Sequence, residues 1–207
     1  TLQLSAEDVI VSWLPLYHDM GLIAGFILPL AQGVPLVLMS PLDWVVAPHR
    51  LLQAVSHYRG TLSWLPNFAY NFCAQKIRER DMADVDLSSW RAVSNCSEPM
   101  RWESHQQFYA RFKSYGLRYA ALTTCYAMAE NVFAVSQGGI DGAVQTLQVE
   151  AVTLINQRKL APPEPGTPAL TLLSAGKPLP NTHVRILGEH GKWLGEDEIG
   201  EIALQSD

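Results

Sequence analysis

Cysteine is scarce and scattered in this sequence. The 207 residues hold three, Cys73, Cys96 and Cys125, far apart and without Cys-x-x-Cys spacing. An odd number so placed excludes a disulfide framework and a thiolate zinc site. It points to a reducing compartment, expected to be the cytoplasm. Clustered positive charge is missing too: 15 Lys plus Arg stand against 20 Asp plus Glu, with no basic run. The chain therefore offers no surface for nucleic acid or for an anionic membrane. Long unbroken apolar runs are also lacking. The longest, Gly21 to Met39, is interrupted by Pro29, Gln32, Gly33 and Pro35, and reads as helix, turn and strand instead of a membrane span. There is no internal repeat, and no signal peptide is expected. Thr1 has no initiator Met before it and Asp207 follows a strand directly, so both ends are expected to be cut from something longer.

What is present is a core-former, 48% hydrophobic and 17% charged. Val9 to Leu14 is a short apolar run of the kind a buried strand shows. A helix is expected over Met20 to Leu30, with Asp19 as its cap, and a strand over Val34 to Met39. Pro48 opens a helix through Tyr58 with Leu51, Leu52, Val55 and Tyr58 on one face. Thr61 to Leu65 is the next strand. Asn67 then reads as the N-cap of a helix striped by Phe68, Phe72, Cys73 and Ile77. Trp90 to Ser94 is a strand, and Ser97 and Glu98 stand where the following helix, ending at Gly116, would start. Leu117 to Thr124 is a strand again. Strand and helix alternate about five times, the signature of an α/β fold with a mostly parallel sheet flanked by helices. After Gly138-Gly139 the pattern changes. Thr146 to Val149 reads as a strand and Val152 to Lys159 as a short helix, before a proline-rich exit. Ala169 to Leu173 is a strand and Gly176-Lys177-Pro178 a turn. Thr182 to Leu187 and Ile199 to Gln205 read as antiparallel β structure.

Ligands of such a sheet belong beyond the carboxyl ends of its strands. Three segments fall there: Tyr17-His18-Asp19, Asn95-Cys96-Ser97-Glu98-Pro99 and Thr123 to Glu130. Glu130 lies in a stretch with no Lys or Arg between Tyr119 and Arg158. A carboxylate without a cationic neighbour is either solvated or holding a positive charge such as a metal ion. Trp64, Phe68 and Tyr70 read as core or as the lining of an apolar pocket.

Taken together these segments resemble the adenylate-forming ligases, the superfamily of acyl-CoA synthetases and nonribosomal adenylation domains, and within it most nearly the fatty acyl-AMP ligases. The matching text is Ser12-Trp13-Leu14-Pro15-Leu16-Tyr17-His18-Asp19-Met20-Gly21-Leu22, Pro66-Asn67-Phe68-Ala69-Tyr70, and Asn95-Cys96-Ser97-Glu98-Pro99 with Arg101. It continues with Cys125-Tyr126, Ala129-Glu130 and Gly200-Glu201-Ile202, in the family's order over essentially the whole chain. The resemblance implies that ATP binds with Tyr126 against the adenine ring. Ser97, Glu98, Pro99, Cys125 and Ala127 would border it. Glu130 would hold Mg²⁺ at the phosphates, and His18 would sit by the acyl carboxylate and α-phosphate. Trp64, Asn67 and Phe68 would wall the acyl channel. The substrate implied is a fatty acid or other carboxylic acid, and the acceptor a carrier protein's phosphopantetheine. The family usually has Tyr-Gly at Tyr126-Ala127 and Gly-Ala-Glu-Pro at Cys96-Ser97-Glu98-Pro99; both changes add bulk near the nucleotide. Two other readings stay open, an acyl-CoA synthetase and a non-catalytic adenylation-like module.

The resemblance also divides the chain. Residues 1–140 would be an α/β unit carrying the acyl and adenine segments, 141–173 a segment special to acyl-AMP ligases, and 174–207 the start of a β-rich unit. The family's phosphate loop, ribose-binding Asp and small C-terminal domain are not among these residues. The isolated 207 residues are accordingly expected to release no pyrophosphate from ATP and a fatty acid, which a coupled pyrophosphate assay checks.

Overall fold

The computed structural model describes residues 2–140 and 142–206. Its centre is a seven-stranded sheet. The run expected as the first strand supplies β1, Ile10–Ser12, with all three residues buried. A helix follows that is π-wound over Met20–Ile27 and continues as α1, Leu28–Gln32, so it runs two residues past the expected end. The wider π winding is rare and frequently found at functional sites. Gly33 closes α1 in the left-handed region, φ 65°. Next come β2, Leu36–Leu38, and α2, Pro41–Val46, a helix the sequence reading passed over. Its signal was present: Ser40 accepts the Leu42 amide as an N-cap, and Pro41 stands at the first turn.

The expected helix to Tyr58 is α3, His49–Tyr58, burying Leu51, Leu52 and Val55, although Tyr58 is exposed. Strand β3, Leu62–Leu65, leads into α4, Asn67–Lys76. Strand β4, Ala92–Cys96, starts two residues later than expected and carries Asn95 and Cys96 as strand and not turn. Helix α5 covers Trp102–Phe112 and tightens to a 3₁₀ turn over Lys113–Tyr115, ended by Gly116 at φ 88°. Strand β5, Leu122–Ala127, completes the alternation.

The sheet order is β2, β1, β3, β4, β5, all parallel, with registers such as Leu65 opposite Asn95 and Cys96 opposite Cys125. Strand β6, Ala134–Gly138, then turns back antiparallel on β5. Beyond it β7, Thr146–Glu150, α6, Ala151–Gln157, and β8, Ala169–Leu173, form a separate two-stranded hairpin unit. Asp141, the first residue of the expected insertion, lies outside the described residues. The Lys177-Pro178 pair, expected as a turn, is a two-residue strand, β9, on the edge of β6. Antiparallel β10, Thr182–Leu187, falls where expected, and its partner β11, Glu201–Ser206, starts two residues later and ends one later than the expected Ile199 to Gln205.

Polar bolts cross the parallel strands inside the core. Trp90 Nε1 donates to Ser63 Oγ at 3.2 Å, and Ser63 Oγ donates to the Val11 carbonyl at 2.7 Å. Tyr70 OH donates to the Val93 carbonyl at 2.8 Å. All three cysteines are buried and free. Among the described residues no helix is long and apolar enough to cross a membrane.

The amino ends of the strands are tied by one ion pair. Asp8, 3% exposed, accepts from Arg91 Nε at 2.7 Å and Nη2 at 2.8 Å, from Thr61 Oγ1 at 2.7 Å, and from the Ser5 amide at 2.9 Å. These partners sit at the starts of β1, β3 and β4. Burial pushes the Asp8 carboxyl up, but the hydrogen bonds from Arg91, Thr61 and Ser5 outweigh it and lower it to about 2. A depressed carboxylate gives stability that is present above its ordinary pKa and lost as pH falls through the folded value. Between pH 4 and pH 2 the protein should lose about 2 kcal/mol through this group. Urea unfolding of the wild type and Asp8→Asn across that range should show the extra loss in the wild type alone.

Candidate functional site

Parallel pairing delivers the ends of β4 and β5 side by side. Beyond them lies a depression of 370 Å³ lined by Ser97, Glu98, Pro99, Met100, Cys125, Tyr126 and Ala127. Every sequence-expected adenine residue is therefore in one place, and Met100 joins them. Ser97 stands in the left-handed region at φ 66°, a conformation that costs a residue with a Cβ roughly 1 kcal/mol. Its hydroxyl lies 3.6 Å from Met20 Sδ. The loop after β1 thus reaches the turn after β4, across β3. Cys125 is held as the thiol by its hydrogen bond to Cys96 and by burial, and burial pushes the Cys73 thiol up to about 12. Neither is poised as a nucleophile.

His18 stands on that same loop, its side chain 48% exposed. Its Nδ1 lies 2.6 Å from Asp19 Oδ1 and 3.1 Å from the Met20 amide. The Met20 amide donates to that nitrogen, so Nδ1 is engaged by the backbone as well as by Asp19. Asp19 is therefore not the expected helix cap: its own backbone is already helical and its side chain makes no cap bond. It orients His18 instead. Gly21 fixes the loop's approach, since a Cβ there would meet the Pro15 carbonyl oxygen at 2.2 Å.

Glu130 occupies a 3₁₀ turn, Ala129–Asn131, directly after β5. It is exposed and makes no ion pair among the described residues. The next residue but one, Val132, has φ 62° and ψ −50°. A β-branched side chain in that region is a genuine strain. Two bonds hold it in place: the Met128 amide donates to the Phe133 carbonyl at 2.8 Å, and Asn131 Nδ2 donates to the Ala134 carbonyl at 2.9 Å.

The three residues expected to wall an acyl channel part company. Trp64, 3% exposed, lines a largely apolar pocket of 520 Å³ with Ile23, Leu28, Val132 and Phe133 among its neighbours. Phe68 is 46% exposed and packs edge-on against the stacked rings of Trp13 and Trp44. It is not part of the buried stripe of α4, which runs through Asn67, Ala69, Tyr70 and Cys73. Asn67 is not an N-cap. Pro66 holds that position, and the Asn67 side chain is a buried hub. Its Oδ1 accepts from Asn95 Nδ2 and from the Arg101 amide, both at 3.0 Å, and its Nδ2 donates to Ser104 Oγ at 3.1 Å. Ser97 and Glu98 do not start α5, which begins after Arg101. Glu98 instead caps α4, its Oε2 accepting the Phe68 amide at 2.8 Å.

Among the described residues no three His, Cys, Asp or Glu side chains gather into a metal cage. Mg²⁺ does not need one, since it is commonly held by one or two carboxylates together with substrate phosphates. A solvent-facing Glu130, three residues after Ala127, fits that demand. An aromatic lining the depression, Tyr126, fits a purine ring.

Residues 1–207 match the AMP-binding enzyme family throughout. The chain belongs to that family. It is similar to a medium-chain fatty-acid (acyl-carrier-protein) ligase, JamA of Moorena producens, 36% identical over 201 residues covering 96% of this chain and 34% of that one. The corresponding ligase TtuA of Teredinibacter turnerae is 32% identical over 95% of this chain and 30% of its own length. Among solved structures, the fatty acyl-adenylate ligase of L. pneumophila in complex with acyl adenylate and pyrophosphate superposes with a TM-score of 0.93 at 33% identity, over 99% of this chain and 36% of that one. The chain thus spans about a third of the length of these relatives. The mostly parallel sheet flanked by helices, followed by antiparallel strands, is the fold of this part of an adenylate-forming enzyme.

If Val132 is strained by the turn that presents Glu130, Val132→Gly should raise the unfolding free energy by about 1 kcal/mol. Denaturant unfolding of the two forms measures it.

Proposed function

We propose that this chain is the central part of a fatty acyl-AMP ligase. Working in the cytoplasm, the whole enzyme activates a fatty acid with ATP to acyl-AMP and passes the acyl group to a carrier protein's phosphopantetheine. The observation that carries the reading is the meeting of the His18 loop, the Ser97 turn and the Tyr126–Glu130 segment on one edge of the parallel sheet. Relatives named as fatty-acid ligases support it.

In this reading the acyl carboxylate attacks the α-phosphorus of ATP and pyrophosphate leaves. The carboxylate is already an anion at neutral pH, so no general base is required. The site has to align two anions and offset their charge. Tyr126 lies against the adenine, and Ser97, Pro99, Cys125 and Ala127 border it. His18, held by Asp19, directs its other ring nitrogen to the acyl carboxylate and α-phosphate. Glu130 would hold Mg²⁺, which supplies charge cancellation at the phosphates when bound. Trp64 meets the acyl chain from the 520 Å³ pocket, Phe68 from the outer surface beside Trp13 and Trp44, and Asn67 fixes the start of α4.

The hairpin of β7, α6 and β8 favours an acyl-AMP ligase over an acyl-CoA synthetase. It lies within residues 141–173, where the fatty acyl-AMP ligases differ, and over thirty residues is long for a plain connection. It touches the β10–β11 unit, with the Leu160 amide donating to the Asp197 carbonyl at 3.2 Å. Such a prop would resist the rearrangement that CoA transfer needs.

The full-length protein should catalyse fatty-acid-dependent exchange of pyrophosphate into ATP. Glu130→Gln should lower kcat/KM on the order of 100-fold, and Tyr126→Ala should raise the KM for ATP about tenfold. Absence of exchange with any fatty acid would overturn the assignment. Deleting residues 141–173 from the full-length enzyme should raise acyl-CoA formation when CoA is supplied. An unchanged CoA product would remove the role given to the hairpin.

A further inference from the structure

The adenine-side turn and the exposed aromatic of α4 are mechanically joined. Glu98 lies in the turn between β4 and α5 and lines the 370 Å³ depression. Its carboxylate is nevertheless spent on another element: Oε2 takes the amide of Phe68 at 2.8 Å, in the first turn of α4. A charged acceptor on a helix N-terminal N–H is among the stronger single hydrogen bonds a surface can offer. One residue earlier, buried Asn67 accepts from Asn95 at the end of β4 and from the Arg101 amide at the far side of the same turn. It also donates to Ser104 inside α5. Four hydrogen bonds therefore clamp the start of α4 to both sides of the turn that borders the depression.

The clamp ends on a ring that faces solvent. Trp13 and Trp44 are stacked at 3.6 Å and buried, and Phe68 covers their edges at 6.3 and 6.1 Å. Phe68 is the member of this trio that a chain lying along the surface would touch. The bond joins the Glu98 carboxylate to the backbone of Phe68, so the Ser97–Met100 turn and the first turn of α4 are directly connected.

Resting on the adenylation reading above, we propose that Glu98 is a positioning residue for the acyl side of the cleft. It transmits nucleotide occupancy to Phe68, with Asn67 as the buried pivot, and does not serve as a direct adenine contact.

The test uses the full-length enzyme and two variants, Glu98→Ala and Glu98→Gln. Glu98 is exposed, so both variants should fold. Glu98→Ala should raise the KM for fatty acid about tenfold and leave the KM for ATP within about twofold. Glu98→Gln, which keeps an oxygen for the Phe68 amide, should recover most of that loss. A rise in the KM for ATP with the fatty-acid KM unchanged would make Glu98 an adenine contact and overturn the proposal. So would no change in either constant, or an equal change in both. Amide hydrogen exchange at Phe68 gives a second readout that needs no turnover. Adding AMP alone should slow exchange there in the wild type and not in Glu98→Ala; equal protection in both, or none in either, overturns the latch. Loss of all fatty-acid-dependent exchange in the wild type would instead overturn the ligase reading, and the hydrogen-exchange result would still decide the latch.

Discussion

Parallel strand pairing is the constraint on which the rest depends. Five strands running the same way, each linked to the next through helical structure, must send all their carboxyl ends to one edge. The loops bearing His18, Ser97 and Tyr126 have no other place to go. The sheet needs little help from charge to do this at that edge. At the opposite edge the Asp8–Arg91 pair joins the starts of β1, β3 and β4. The amino ends of the strands are thus tied by a buried charge, while the carboxyl-end edge carries the left-handed residues Ser97 and Val132 and the exposed Glu130.

The polar interior serves the same division. His105 is buried against Tyr70 and burial pushes it down to about 4, so it stays neutral at ordinary pH and acts as packing. Asn67 is polar because it must satisfy three groups from β4, the turn and α5 at once. An apolar residue there would leave the Arg101 amide and Asn95 without their partner, at a cost of about 1–3 kcal/mol for each buried group.

Much of the framework could be read from the residues. Buried parallel strands appear as plain apolar runs, and Val9 to Leu14 and Thr61 to Leu65 were placed by that alone. The edge on which chemistry would gather followed from the alternation of strand and helix. What escaped were features set by contacts distant in sequence. Pro66-Asn67 carries the local marks of a cap, yet Asn67 is committed to residues 28 and 34 positions away. Glu98 stands where a helix start is expected and caps a different helix, 30 residues earlier. Phe68 follows helical spacing with Phe72 and Cys73 but faces outward, because the amide of Phe68 is held by Glu98 and its neighbour Asn67 takes the inward place. Helix α2 carries its local signal in Ser40-Pro41, but it breaks the usual burial pattern, since its apolar Leu42, Val45 and Val46 face solvent and only Trp44 is buried.

The π winding over Met20–Ile27 bears on descent. A π segment is what an α-helix becomes when it absorbs an extra residue without unravelling. Here that slack lies between the loop holding His18 and the point where α1 passes the chain on to β2. A change of one residue in the length of this segment can be absorbed by rewinding it between α and π, leaving the sheet register untouched.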